Sequence, residues 1–215
     1  MGKRIIKGLI QLTDEILDII YPPEEVCISC GEEGFIGLCH ICRNKIKRDL
    51  DNDFILSYGQ YGGVLKKVIL SFKYKKNFTS GKIISELMKI KLDEIKYVPD
   101  IILYVPIDKL AKKKRGFNQC EFIAKELSKS TGAKAKKYIK KVKKTREQKR
   151  LSLEERKLNI KNVFKLEHGE VLKNKRILII DDVVTSGSTL NECLQLINVN
   201  QIKDIKLLTV ARSKL

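Results

Sequence analysis

Arg176-Ile-Leu-Ile-Ile-Asp-Asp-Val-Val-Thr-Ser-Gly-Ser-Thr-Leu190 is the stretch on which the fold turns. Its four consecutive aliphatic residues, Ile177 to Ile180, predict a parallel strand, because a strand covered on both faces needs no polar alternation. The strand ends on Asp181 and Asp182, at the carboxyl edge where an open α/β sheet places its ligands. Thr185-Ser186-Gly187-Ser188-Thr189 then supplies small residues, hydroxyls and a glycine before the helical spacing of Leu190, Cys193, Leu194 and Ile197. Amide N–H groups at a helix start attract an anion, and the hydroxyls add donors. Carboxylates repel phosphates, so acids and cradle suit one ligand only if that ligand is a sugar phosphate, with acids on the sugar hydroxyls and the loop on the phosphate. The plain alternative is a buried strand followed by an incidental hydroxyl-rich turn, which leaves the paired acids unexplained. Burial of both acids in ion pairs, or a turn facing away from any cleft, would remove the reading.

Working outward, 215 residues suffice for one α/β core and a small appendage. The formal charge of +18 is concentrated: Lys109–Arg150 holds 17 basic and 3 acidic residues. Such a field draws nucleic acid or phosphorylated substrates; the bland reading is a lysine-rich solvated face. No apolar run approaches the ~20 residues that span a bilayer, and Asp14, Glu15 and Asp18 interrupt any signal-peptide core. A cytoplasmic, non-transmembrane protein is expected.

Ile5, Leu9, Leu12, Ile16 and Ile19 recur at helical steps and predict an amphipathic helix ending before Pro22-Pro23. Cys27-Ile-Ser-Cys30 and Cys39-His-Ile-Cys42 are two CxxC knuckles, and two such pairs complete the tetrahedron of a structural zinc. Disulfides fit the cytoplasmic expectation poorly. His40 is a competing ligand, read as lying outside a complete cysteine set. Residues 1–50 therefore read as a helix plus zinc-binding domain, the acidic stretch Asp49–Asp53 as the boundary, and residues 51–215 as the α/β domain.

Strands are expected at Phe54–Tyr58, Ile101–Val105 and Ile205–Ala211, and helices over Gly63–Phe72 and from Thr79 to about Leu92. After Pro106, a loop from Ile107 to Asn118 carries Lys112, Lys113, Lys114 and Arg115 before Gly116. Cations at a strand's carboxyl end, beside a sugar-phosphate site, suit a diphosphate leaving group with Mg²⁺; a solvated charge run is the alternative. Cys120 and Cys193 fall in helical patterns as small core residues. Tyr74, Phe78, Phe117 and Tyr138 lie among basic residues and are read as core, with base stacking as the alternative. His168 has no evident partner.

Ile177 to Thr189 resembles the signature of the type I phosphoribosyltransferases: four aliphatic residues, two acids, then seven small or aliphatic residues. The resemblance implies binding of 5-phosphoribosyl 1-diphosphate, with Asp181 and Asp182 on the ribose and Val183, Val184, Thr185, Ser186, Gly187, Ser188 and Thr189 around the 5′-phosphate. Val105-Pro-Ile-Asp108, Arg115-Gly-Phe-Asn-Gln119, Arg146-Glu-Gln148, Arg156-Lys-Leu-Asn159 and Asn162-Val-Phe164, with the cysteine knuckles, are similar in order and spacing to the ComF family. That resemblance implies a type I phosphoribosyltransferase-like parallel sheet, a part in natural competence with incoming single-stranded DNA, and contact with other, helicase-like competence proteins. It assigns Lys114, Arg115, Gly116, Arg146 and Gln148 to the diphosphate and to a lid over Lys140–Arg156. Lys112, Lys113, Lys140, Lys141, Lys143 and Lys144 are the candidate DNA contacts, and if Lys140–Arg156 is not a lid it is a DNA-binding arm. The competing functional expectation is an active phosphoribosyltransferase of nucleotide or base salvage with no DNA role.

Overall fold

Aliphatic runs become the centre of one parallel sheet in a computed structural model that describes residues 19–50, 54–143, 161–198 and 201–213. Its strands are β1 (Ile55–Gln60), β2 (Ile101–Tyr104), β3 (Lys134–Lys136), β6 (Arg176–Val184) and β7 (Asp204–Arg212), in the order β1-β7-β6-β2-β3. β4 (Ile139–Lys141) and β5 (Phe164–Leu166) form a separate antiparallel ladder. From β2 the chain steps outward to β3, and from β6 it steps the opposite way to β7. The two crossovers diverge at the β2–β6 seam, and such a switch point opens a crevice beyond the carboxyl ends of the strands.

Both faces of the sheet are covered, which is why β6 lacks polar alternation. Leu178, Ile180, Leu208 and Val210 pack on one side against the helices α2 (Gly63–Lys75), α3 (Phe78–Glu94) and α5 (Gln119–Thr131). Ile177, Ile179 and Leu207 pack on the other side with Leu190 and Cys193 of α6 (Ser188–Gln195). Each such fully buried aliphatic side chain contributes about 1.5–3 kcal/mol. Cys120 and Cys193 are fully buried core residues, as their helical spacing predicts. Phe72, Phe78, Phe117 and Phe122 form an aromatic cluster with centroid separations of 5.0–6.2 Å. A Cβ on Gly81 would lie 2.6 Å from Phe122 and 2.7 Å from Phe72, so this helix–helix approach needs glycine.

Two local expectations change. The stretch after Pro106 is not a loop throughout, since Lys109–Arg115 forms helix α4. Asp108 caps it by accepting from the Leu110 N–H, and Gly116 closes it at φ 86°. β6 also runs past its acids to Val184, because Asp181, Val183 and Val184 pair with Thr209, Ala211 and Arg212 of β7. The expected amphipathic helix falls outside the described residues, except that Ile19 and Ile20 are helical.

The cysteine segment, with the short helix α1 (His40–Asn44), shares the core of the sheet through Cys27, Cys39, Cys42 and Ile46. Arg43 holds Glu86 of α3 in a two-pronged pair at 2.8 and 3.0 Å. Residues 47–49 lie along β1: Gln60 N–H donates to Lys47 O, Asp49 N–H donates to Tyr58 O, and buried Asp49 pairs with Arg212 at 2.8 Å. The expected acidic boundary thus begins with a side chain tied into the sheet; residues 51–53 lie outside the described ones.

Candidate functional site

At the carboxyl end of β6, residues 181–190 line one cavity of about 150 Å³. Gly187 sets its floor: it adopts φ +74°, and a Cβ there would lie 2.7 Å from Ile55 Cδ1. Gly187, the N-cap of α6, has no side chain to cap the helix, and the first helical N–H, that of Ser188, reaches Ser186 Oγ only at 3.5 Å. The Ser186 and Ser188 hydroxyls are 2.8 Å apart beside it. Helix-start N–H groups with adjoining hydroxyls suit an anion. Val183 and Val184 belong to the strand and form its wall, with Val184 buried.

The two acids have different surroundings. Asp182 is buried, and its Oδ2 accepts from Lys73 Nζ at 2.5 Å and from Gln119 Nε2 at 3.1 Å. Asp181 is half-buried and, among the described residues, accepts only on Oδ1, from the Asp182 N–H at 2.8 Å and Cys120 Sγ at 3.4 Å. Burial, then repulsion from Asp182, pushes the Asp181 carboxyl up to about 7. Both acids line the cavity, but among the described residues only Asp182 is held in an ion pair. Arg115 reaches the same group indirectly, donating from Nη1 to Gln119 Oε1 at 2.7 Å while lying 5.6 Å from the Tyr74 ring. The sequence stretch 115–119 and the acids are thus joined through one amide side chain.

Sequence reasoning missed Lys73. A signal exists: Leu65, Ile69 and Lys73 follow at four-residue steps, so this lysine continues the buried ridge of α2 whereas Lys75 and Lys76 do not.

The expected anion-contacting lysines fall into two groups. Lys112, Lys113 and Lys114 are exposed along α4, which buries none of its residues, and Lys143 is also exposed. Lys140 pairs with Glu167 at 2.6 Å, and Lys141 with the capping Asp108 at 3.2 Å, which ties the β4–β5 ladder to α4. Lys144, Arg146, Gln148 and most of the expected lid lie outside the described residues. Phe78 is buried and Phe117 packs on it, as core residues do; the Tyr138 ring lies tilted at 5.2 Å from His168, and Tyr74, expected in the core, is instead exposed. His168 lies 3.7 Å from Glu170.

Cys27, Cys30, Cys39 and Cys42 bring their sulfurs within 4.8 Å of one another, so the four could hold a metal ion such as zinc. Cys30 and Cys39 Sγ are 3.7 Å apart, well beyond a disulfide bond. The Cys39 N–H points at Cys27 Sγ and the Cys42 N–H at Cys39 Sγ, each at 3.4 Å, a polarity that favours thiolates. His40 is exposed, stands against Phe35, and is absent from the cluster. No helix of the described residues is long and apolar enough to cross a membrane.

Residues 73–214 match the phosphoribosyl transferase domain. The chain belongs to the phosphoribosyltransferase family. Competence protein F of Haemophilus influenzae is 30% identical over 197 residues, covering 87% of this chain and 84% of that protein. DNA utilization protein YhgH of Escherichia coli O6:H1 is 27% identical, covering 74% and 72%. Competence protein ComFC of Streptococcus pneumoniae is 25% identical, covering 88% and 81%. These relatives place it in the ComF group of phosphoribosyltransferase-like proteins. The matched domain of this ComF-family protein starts at Lys73, so the cysteine segment and β1 stand outside it.

Proposed function

We propose that this ComF-family protein acts in natural competence as a phosphoribosyltransferase-like protein that binds 5-phosphoribosyl 1-diphosphate. The observation that carries the reading is the cavity along residues 181–190, which holds both the helix start at Gly187 and the half-buried Asp181. The 5′-phosphate fits the N–H groups and hydroxyls of residues 185–189, and a ribose hydroxyl donates to Asp181 while Asp182 braces it. Arg115, with Lys114 and Gly116 beside it, lies toward the diphosphate. If transfer occurs, the bond between the ribose C1 and the diphosphate oxygen breaks, the diphosphate leaves with the electron pair, and the oxocarbenium-like sugar takes an acceptor nucleophile. Mg²⁺ arriving with the diphosphate would spread that negative charge, and Asp181 is the hard oxygen donor available to it.

Names of the relatives support the competence role and a DNA partner. In this reading single-stranded DNA lies along the exposed Lys112, Lys113 and Lys114 and along Lys143, the four cysteines carry a structural zinc, and the protein works in the cytoplasm beside other competence proteins. Calorimetry with 5-phosphoribosyl 1-diphosphate and Mg²⁺ tests the site. Binding that is lost when Asp181→Asn and Asp182→Asn are combined supports it; equal binding by the double variant removes it.

A further inference from the structure

We propose that Lys73 is the built-in cation of the acid pair: it holds Asp182, which lines the cavity beside Asp181, away from ligands and metal ions and leaves Asp181 as the carboxylate of the pair that no cation engages among the described residues. Its side chain is 16% exposed and that of Asp182 9%, so the contact at 2.5 Å is largely shielded from water. A shielded pair is screened little by salt. Lys73 stands against a pair of acids. Asp181 and Asp182 are adjacent, and their carboxylates with the Cys120 sulfur lie within 4.8 Å of one another, a donor set otherwise suited to collect a divalent ion. Burial pulls the Lys73 ammonium down, but attraction to Asp182 outweighs it and leaves the group above the ordinary lysine value.

Gln119 fixes the direction of this arrangement. Its amide donates to Asp182 and accepts from Arg115, and an amide has one side for each task, so it cannot be reversed without losing both bonds. Lys73 also sits in the last turn of α2, where the helix dipole favours a cation. The consequence for ligands is that a divalent ion enters with its own anion and is not stored in advance by the acids. That consequence rests on the phosphoribosyl reading; the cation role of Lys73 does not.

The test uses the zinc-loaded full-length protein and Mn²⁺ alone, followed by electron paramagnetic resonance. Wild type is expected to show no Mn²⁺ site that Asp182→Asn abolishes. Lys73→Met is expected to gain one, binding at least tenfold more tightly, Lys73→Arg to behave as wild type, and Lys73→Met with Asp182→Asn to lose the gain. The proposal is overturned if wild type already has an Asp182-dependent site, if Lys73→Met gains none, or if Lys73→Arg gains as much as Lys73→Met. Should Lys73→Met fold poorly, Lys73→Gln takes its place with the same expected gain, and absence of that gain overturns the proposal. No sugar phosphate enters the experiment, so its failure is separable from failure of the phosphoribosyl reading.

Discussion

The cysteine knuckle and the acid edge of the sheet both rest on short motifs, but they are completed at different ranges. All four sulfurs of the knuckle come from a stretch of the chain short enough to read as one pattern, Cys27 to Cys42. The acid edge draws its partners from α2, α4, α5 and β6, and its central contact joins Lys73 to Asp182. A site closed locally states its ligands in its spacing. A site closed by topology states only the residues on its own loop.

The sharpest way to break this comparison is to remove a ligand from the knuckle. Structural zinc contributes on the order of 10 kcal/mol of folding free energy in isolated peptides. Cys39→Ser is therefore expected to cause the largest loss of thermal stability of any single change considered, together with loss of bound zinc by elemental analysis. An unchanged melting temperature would mean that the packing of Cys27, Cys39, Cys42 and Ile46 on the sheet suffices without metal.

Next comes the turn of the acid edge. Gly187→Ala forces a side chain into a left-handed backbone and against Ile55, so a cost of about 1–3 kcal/mol is expected. Denaturant unfolding measures it, and the same variant should lose sugar-phosphate binding by calorimetry.

Asp181→Asn removes a charged acceptor worth about 1.5–3 kcal/mol, roughly 10- to 100-fold in affinity for the diphosphate sugar. It also tests pH dependence. The Asp181 carboxyl is raised from 3.8 to about 7, so the folded protein holds an extra proton between these values. The associated stability is complete below the unfolded value and is lost as pH rises through 7. Ligand-free wild type should thus lose stability relative to Asp181→Asn over that window, while ligand affinity rises with pH as the carboxylate forms. Parallel stability profiles for the two proteins would contradict the raised value.

The smallest expected effect concerns the basic surface. Replacing Lys112, Lys113 and Lys114 by Gln should reduce the salt slope of single-stranded DNA binding by about 0.7 per contact removed. Lys140→Gln should do less, because Glu167 already engages that ammonium. Equal effects would show that the pairing with Glu167 yields to the polyanion.

Much of this was legible in the chain. The aliphatic runs at 101–105, 177–180 and 205–211 each became a strand because burial on both faces leaves an uninterrupted apolar signal. The continuation of β6 to Val184 was not legible, since Asp181 and Asp182 read as a strand end and only pairing with β7 extends the ladder through them. Helix α4 was hidden by its charge: a run of lysines without an apolar stripe has no helical period, and its ends depend on Asp108 and Gly116. The unequal surroundings of the two aspartates were equally hidden, because they are set by Lys73 and Gln119 from two other helices.

The segment 47–49 has a further meaning. By bonding to Tyr58 and Gln60 it occupies the outer rim of β1, which would otherwise present unpaired amide and carbonyl groups to neighbouring molecules. Residues 47–49 therefore shield this edge from pairing with another copy. Loosening them uncovers a template for intermolecular β-pairing, so Asp49→Ala, which removes the tie to Arg212, is expected to appear as turbidity before it appears as lost secondary structure.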